Sequence, residues 1–371
     1  MSKVLVTGGL GFIGSHTVDL LVHNGYEVVI LDNLDFQVHH GQEPRYSNVK
    51  SYIIRDTVTK EISWRTALSG TEYIINLAAL TGSSQSFWKI NRYTNVNVMG
   101  VARLFQTLLK HKELSRNLLK VVNASSSYVY GEGSYLCSRD GIVFPGIRSL
   151  NQLREKNWDV VCPICKGAVK PVGVSELKPP QTPNPYSLTK FFAERLTALF
   201  GEYLDIPTLS FRYFNVYGSR QSLMNPYTGV LSIFYTRLVS GLKPIVFEDG
   251  LMSRDFVHVN DVAQFNLRAL SRGHGVLNLG SGVSTNINKI FTILASKLDS
   301  DIDPQFVQES RFGDIRHIFS DNTKLKKTYG HYDFMKIRDG IDEFLEWARK
   351  SDTKELFDRG EKARKKFSPK L

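Results

Sequence analysis

Lys3-Val-Leu-Val-Thr-Gly-Gly-Leu-Gly-Phe-Ile-Gly14 is a short apolar run that stops at a cluster of glycines, and Ser15 to Val22 then carries apolar residues at helical spacing. Strand, glycine turn and helix in that order are the context a dinucleotide fingerprint requires. Gly8, Gly11 and Gly14 let the backbone turn tightly and approach a pyrophosphate, which sits on the amides at the helix N-terminus. A second apolar run, Glu27 to Leu31, is closed by Asp32. A carboxylate there accepts from both ribose hydroxyls and repels a 2′-phosphate, so the pattern reads as NAD rather than NADP.

Further short strands follow at doubly wound intervals. Tyr52-Ile-Ile54 runs toward Asp56, which is open to two readings: a contact to the adenine edge, or a solvated turn aspartate. Tyr73 to Leu77 leads into Ala78 and Ala79, small enough for a close backbone approach, and a helix is expected from about Asn91 to His111. The strand Leu119 to Asn123 ends in Ala124-Ser-Ser-Ser127, at the end of the sheet where such folds hold their ligand. Beyond the turn-rich Thr182-Pro183-Asn184-Pro185, Tyr186-Ser-Leu-Thr-Lys190 places a phenol and an ammonium one helical turn apart on one face. A neighbouring ammonium favours the phenolate, so the pair can supply a general base near neutral pH. Taken alone, the same spacing also describes an amphipathic helix with a buried aromatic and a solvated lysine.

Composition narrows the class. With 371 residues, 42% hydrophobic and 22% charged, the chain reads as an ordinary globular protein of one large domain and a smaller one. The net charge of +11 favours anionic partners in general, and part of it sits in the closing run Glu361 to Leu371, expected to be a frayed, solvated tail. Gly8, Gly9, Gly11 and Gly14 interrupt any apolar leader, and no run approaches the roughly 18 apolar residues of a membrane span. Three cysteines in a chain of this length do not form a disulfide framework, so a cytoplasmic location is expected.

Thr7 to Gly14, Ser125-Ser-Ser-Tyr-Val-Tyr-Gly131, Tyr186 to Lys190, Arg212-Tyr-Phe-Asn-Val-Tyr-Gly218 and Arg254-Asp-Phe-Val-His-Val-Asn-Asp261 together resemble an extended short-chain dehydrogenase/reductase of the nucleotide-sugar epimerase and dehydratase group, from Lys3 to about Asp321. The resemblance implies a doubly wound parallel α/β sheet with a smaller C-terminal α/β substrate domain. It implies an NAD-binding domain over 1–216, interrupted at about 132–182, a nucleotide-sugar domain over 217–350 interleaved with returning elements near 246–280, and a tail over 351–371. Its catalytic residues fall on Ser126, Tyr186 and Lys190. NAD contacts fall on Gly8, Gly11, Phe12, Ile13, Gly14, Asp32, Asn33, Asp56, Leu77, Ala78, Ala79, Asn97, Tyr186, Lys190 and Phe214. Substrate contacts fall on Ser126, Ser127, Asn215, Arg254, Arg311 and Asp314, the arginines gripping a diphosphate and Asp314 near the nucleotide ribose. Gly82 and Ser83 lie near the sugar by position.

Dehydratases of the group carry an Asp-Glu pair where this chain has Ser127 and Tyr128, so no acid stands ready to protonate a leaving hydroxyl. The remaining pattern resembles 4-epimerases. The insertion contains Cys137 and the knuckle Val161-Cys-Pro-Ile-Cys-Lys-Gly167, and resembles that of bacterial dTDP-L-rhamnose 4-epimerases, some of which carry two knuckles. Asp140 stands where the partner of Cys137 belongs. Cys137, Cys162 and Cys165 with that carboxylate can hold a structural zinc; a ribbon eroded to ordinary packing is the reading this departure favours.

The expected reaction is NAD-dependent C4 epimerisation of a nucleoside-diphosphate hexose, with dTDP-L-rhamnose to dTDP-6-deoxy-L-talose first and a UDP-glucose or UDP-N-acetylglucosamine 4-epimerase as the alternative. A homodimer through the helices Asn91 to Lys110 and Tyr186 to Leu204 is expected by resemblance, with Phe191, Phe192 and Leu199 compatible with it. A non-catalytic, RNA-binding relative of the fold is the competing class. Such proteins commonly lose the catalytic tyrosine or lysine, whereas both are present here, so no nucleic-acid or membrane partner is expected.

Overall fold

The computed structural model describes residues 1–39, 41–223, 225, 227, 229–311 and 313–350. The basic tail and parts of the stretch Asn225 to Val230 lie outside the described residues. The chain divides into two compact units: residues 1–126, 185–213 and 259–277 form the first, and residues 127–184, 214–258 and 278 onward the second.

The main sheet has seven strands, numbered in chain order: β1 (Lys3–Thr7), β2 (Glu27–Asp32), β3 (Tyr52–Arg55), β4 (Tyr73–Asn76), β5 (Lys120–Ser126), β9 (Thr208–Tyr213) and β13 (Gly275–Leu279), all within the first unit except the last two residues of β13. They lie in the order β13-β9-β5-β4-β1-β2-β3, with the pairs from β3 through β9 parallel. This is the doubly wound sheet that the strand spacing predicts. Leu5, Val29, Leu31, Ile74 and Val121 face a core with Trp64, Leu104, Phe105 and Leu108, while the alternate residues Val4, Val6, Ile30, Ile75 and Val122 are equally buried. Burial on both faces explains why these strands read as continuous apolar runs rather than alternating ones.

A row of polar side chains crosses four of these strands at one level. The Thr7 hydroxyl donates to Asn76 Oδ1 (2.7 Å), Asn76 Nδ2 to Asn123 Oδ1 (2.9 Å) and Asn123 Nδ2 to Ser210 Oγ (3.3 Å). The register pairs Thr7 with Asn76, Asn76 with Asn123 and Asn123 with Ser210, so each side chain meets its neighbour directly across a strand gap. Buried amides cost free energy unless satisfied, and this row satisfies them in series.

One helix differs from its sequence expectation. In place of a single helix from Asn91, the chain forms Ile90–Tyr93, a π-helical turn Thr94–Met99 and then Gly100–Lys110. The widened turn brings Asn97 inward: its Oδ1 accepts from Leu80 N–H (2.8 Å), and its Nδ2 donates to Leu80 O (3.1 Å) and Thr189 Oγ1 (3.0 Å). That is the usual use of a π-bulge, an inserted residue aimed by its own backbone distortion.

The second unit holds three smaller sheets. β10 (Asn215–Tyr217), β12 (Ser253–His258), β14 (Ser284–Asn286) and β16 (His317–Ile318) form one, and β11 (Ile245–Val246) pairs with β15 (Gln305–Phe306). The insertion folds as β6 (Ser134–Cys137), β7 (Gly141–Val143) and β8 (Val169–Val172), antiparallel in the order β7-β6-β8. It joins the rest of its unit through buried polar contacts: Arg316 N–H donates to Glu132 Oε2 (2.8 Å), and Arg148 forks onto Glu248 (3.0 and 2.7 Å). The main core of the unit is aromatic and aliphatic, centred on Tyr217, Phe234, Tyr235, Phe256, Ile290 and Phe344.

Candidate active site

The turn after β1 is shaped by absent side chains. Gly8 has φ +67°, and a Cβ there would lie 2.9 Å from Ala78 N; a Cβ on Gly14 would lie 2.1 Å from Gly8 O. Helix Phe12–His23 begins at Gly11 with no side-chain cap, so its leading amides, including those of Phe12 and Ile13, are presented by bare backbone. At the end of β2, Asp32 is buried, its carboxylate accepting from Leu10 N–H (3.1 Å) and Leu34 N–H (2.9 Å), which sets it beside the glycine turn; Asn33, next to it, is exposed. Leu77 and Ala78 are drawn toward β1 through Leu77 N–H to Thr7 O (3.2 Å) and Ala78 N–H to Thr7 Oγ1 (3.1 Å). Such a cradle fits a dinucleotide: glycines where the backbone must come close, a helix N-terminus for the pyrophosphate and a buried acid for the ribose.

Asp56 follows β3. It accepts from Lys60 Nζ (2.8 Å) and Ser63 Oγ (2.7 Å), and Lys60 and Ser63 hold its carboxyl down at about 2. Its local role is to tie the chain after β3 to the helix Glu61–Leu68.

The three predicted catalytic residues lie on adjacent elements of the first unit. Ser126 is the last residue of β5 and is buried. Tyr186 and Lys190 lie in the first two turns of helix Pro185–Tyr203, which packs along β5. Pro185 suits the first helical position, where its missing N–H costs nothing. The Tyr186 ring meets Tyr93 edge-on with centroids 6.4 Å apart, and Thr189 Oγ1 donates to Tyr186 O (2.8 Å). Burial pushes the Lys190 ammonium down to about 8, with the Glu194 carboxylate pulling the other way. Lys190 therefore remains a cation at neutral pH, available to favour a phenolate one turn away.

Glu194 and Arg212 are site residues that the sequence pattern left without a role. Arg212 on β9 donates to Glu194 through Nε (2.9 Å) and its terminal nitrogen (2.6 Å), and Ser125 Oγ on β5 donates to the same carboxylate (2.7 Å). Both charges are almost wholly buried. The fork fastens the helix to β5 and β9 one turn beyond Lys190, and so sets where Tyr186 and Lys190 lie along β5. Its sequence signal was a glutamate at i+4 from Lys190 on a face that otherwise reads as core.

The predicted substrate residues Ser127, Asn215, Arg254, Arg311 and Asp314, with the cofactor candidate Phe214, fall in the second unit. Ser127 Oγ and Asn215 Oδ1 are buried atoms without a hydrogen-bond partner among the described residues, as expected of groups that a ligand satisfies. Arg254, on β12, is buried and donates to Ser253 O (2.8 Å). Arg311 is half exposed, lies over the Phe247 ring (4.5 Å to the centroid) and donates from Nε to Asp314 (2.9 Å). Phe214 is buried, its N–H bonded to Leu279 O (3.0 Å).

This fold and site define a class. The model of the NAD dependent epimerase/dehydratase family matches residues 4–141 and 165–280, and the chain belongs to that family. Among its relatives, a dTDP-L-rhamnose 4-epimerase of Burkholderia thailandensis is 34% identical over 352 residues, covering 93% of this chain and 94% of the other. A putative UDP-glucose 4-epimerase of Methanocaldococcus jannaschii is 29% identical, covering 94% of this chain and 99% of the other. Of solved structures, the Thermotoga maritima UDP-glucose 4-epimerase with UDP-glucose superposes with a TM-score of 0.77 at 28% identity, covering 94% of this chain and 99% of that one. The UDP-N-acetylglucosamine 4-epimerase of Methanobrevibacter ruminantium gives 0.76 at 29%, covering 94% and 98%. The residues matched by the family model stop at Gly141 and resume at Cys165, so the middle of the insertion, residues 142–164, falls outside the common pattern.

Proposed function

We propose that the chain interconverts C4 epimers of a nucleoside-diphosphate hexose, with dTDP-L-rhamnose and dTDP-6-deoxy-L-talose as its pair. The observation that carries this reading is the set Ser126, Tyr186 and Lys190 on β5 and the helix beside it, followed by Ser127 and Tyr128 where a dehydration would need an acid. NAD, held by the Gly8–Gly14 turn and Asp32, would supply a reversible hydride acceptor for C4. Tyr186, held as phenolate by Lys190, takes the proton of the C4 hydroxyl at its phenolic oxygen and later returns it; Ser126 shares that proton by hydrogen bonding. Return to the opposite face of the sugar requires that the nucleotide be held firmly and the hexose loosely. Arg254, Arg311 and Asp314 suit the first task, and Ser127 and Asn215 offer polar atoms for the second.

The likeness to the Burkholderia protein supports the deoxy-sugar substrate. A UDP-hexose is the second reading, supported by the likeness to the Thermotoga structure with UDP-glucose. We further propose a homodimer: Leu188, Phe192, Leu199 and Tyr203 form an exposed apolar stripe along helix Pro185–Tyr203, at the spacing of one helical face. Among the described residues no helix is long and apolar enough to cross a membrane. The cofactor expectation has a second part, zinc in the insertion; it concerns Cys137, Asp140, Cys162 and Cys165 alone and is independent of the hydride chemistry.

The test is incubation of the purified protein, without added cofactor, with dTDP-L-rhamnose, UDP-glucose and UDP-N-acetylglucosamine separately, followed by proton NMR. A new C4 epimer from dTDP-L-rhamnose is expected; conversion of a UDP-sugar alone would move the substrate to the second reading. Three unchanged sugars from a protein that carries NAD would remove the epimerase assignment.

A further inference from the structure

The insertion has a core too small to hold it. Its buried cluster consists of Tyr135, Cys137, Val143 and Cys162, so two of its four members are cysteines. A three-stranded sheet with so little apolar cover is of the size that natural proteins staple with a disulfide or a metal. No disulfide is present: Cys137, Cys162 and Cys165 are all unbridged, although Cys137 Sγ and Cys165 Sγ lie 3.5 Å apart.

The four polar ends converge. Cys137 Sγ is 3.3 Å from Asp140 Oδ2, Cys162 Sγ is 3.1 Å from the same oxygen, and the ligand atoms of Cys137, Asp140, Cys162 and Cys165 all lie within 4.8 Å of one another. A tetrahedral zinc with S bonds of about 2.3 Å and an O bond of about 2.0–2.2 Å requires edges of roughly 3.8 Å between sulfurs and 3.5 Å between sulfur and oxygen. Three of the six edges, 3.5 Å between sulfurs and 3.3 and 3.1 Å between sulfur and oxygen, are about 0.2–0.4 Å shorter than those values, and all six lie within 4.8 Å.

The backbone is arranged for thiolates. Cys137 closes β6 opposite Gly141 and Val169, so Asp140 sits in the turn from β6 to β7 at the sheet end where β8 begins. The second knuckle is a tight turn: Cys162 N–H donates to Gly167 O (2.9 Å), Lys166 N–H to Cys162 O (3.0 Å), and Val161 pairs with Ala168. Arg139 N–H points at Cys137 Sγ (3.4 Å).

We propose that Cys137, Asp140, Cys162 and Cys165 bind one soft divalent cation, zinc, in a closed structural site that fastens the two turns of the insertion. Asp140 does the work of a fourth cysteine. All four positions are filled by protein, so no position is open for water or substrate and the ion takes no part in the reaction. Three Zn–S bonds and one Zn–O bond form as the three thiols release their protons to solvent, and no electron changes hands.

The test uses the full chain, purified under reducing conditions without chelator, with metal measured by plasma mass spectrometry. One zinc per chain is expected. Stripped protein refilled with cobalt(II) should develop thiolate-to-cobalt charge-transfer absorption and the intense visible bands of a tetrahedral site. Asp140→Cys should retain the ion more tightly against a competing chelator, and Asp140→Ala should weaken retention at least tenfold. If the cysteine variants fail to fold, the cobalt spectrum of the unaltered chain and the Asp140 pair still decide. Zinc below a tenth per chain with no cobalt–thiolate band, a Cys137–Cys165 disulfide in the purified protein, or metal retention indifferent to position 140 would each overturn the site. Because metal content and spectrum are read without substrate, the outcome is separate from that of the epimerase assay.

Discussion

Tyr186 is the residue proposed to carry the proton chemistry, and its setting says how the rest of the site should respond. Tyr186→Phe removes the proton acceptor while keeping the ring that meets Tyr93 edge-on. Turnover should fall by about 10²–10⁴-fold or more. NAD should remain bound, as measured by release of nucleotide on denaturation; more than a few per cent of residual activity would mean that the proton goes elsewhere. At this scale the glycine turn was legible in the sequence because the backbone demands glycine there, and the placement of Tyr186 and Lys190 one turn apart on a single helix followed from their spacing, while Ser126 was singled out by resemblance. Glu194 was not, because what makes it matter is a distance to Arg212 across 18 positions of sequence. Asn97 was placed by resemblance, but the π-helical turn that aims it has no signature in Thr94 to Met99.

The elements around the site are held by polar contacts as much as by packing. Glu194→Ala leaves the Arg212 guanidinium buried without its carboxylate, and a broken buried pair of this kind costs about 3–5 kcal/mol. A urea titration should show that loss as a lower midpoint at unchanged slope, whereas a loss under about 1 kcal/mol would mean that solvent reaches the arginine. The polar row Thr7–Asn76–Asn123–Ser210 has the same character. Thr7 and Asn76 close their strands while Asn123 and Ser210 lie inside theirs, and only the register shows that the four polar residues coincide. That the sheet is parallel and doubly wound was readable from apolar runs and spacing. Satisfaction of the polar groups between them was not, since a one-residue slip in any strand would undo it.

For the molecule as a whole, two histidines of the second unit make its stability depend on acid. Burial pushes His258 and His317 down to about 4; at His317 the Arg316 and Arg254 cations add to the effect, against the pull of Glu132 and Asp159. An unfolded histidine titrates near 6.5, so between about 6.5 and about 4 the unfolded chain takes up protons that the folded chain refuses. Stability should therefore fall as pH drops through that window, by on the order of 3 kcal/mol for each group at its lower end. Thermal midpoints measured from pH 7 down to 5 should slope downward, and the slope should lessen in His317→Gln; an unchanged slope would exclude His317 as a source. The exposed stripe on helix Pro185–Tyr203 bears on assembly. Replacing Phe192 and Leu199 together by Glu should convert a dimer to a monomer in sedimentation velocity, and a dimer that survives would move the interface to another face.

The wiring of Arg148 has a consequence for any attempt to shorten the chain. Glu248 has no exposed surface and is held between Arg148 and Arg316, while Arg148 also donates to Asp314 O (3.1 Å) beside Arg311. The loop inserted after Gly131 thus neutralises a charge lodged outside it and steadies the segment proposed to grip the nucleotide. Excising residues 132–182 to match a more compact relative would remove Arg148, Glu132 and Asp159 in one cut, leaving Glu248 and Arg316 with half of their partners. The Glu248–Arg316 pair (3.1 Å) would outlast the cut but carry the local charge balance without Arg148, so a trimmed version should be less stable than one in which position 248 is also made neutral.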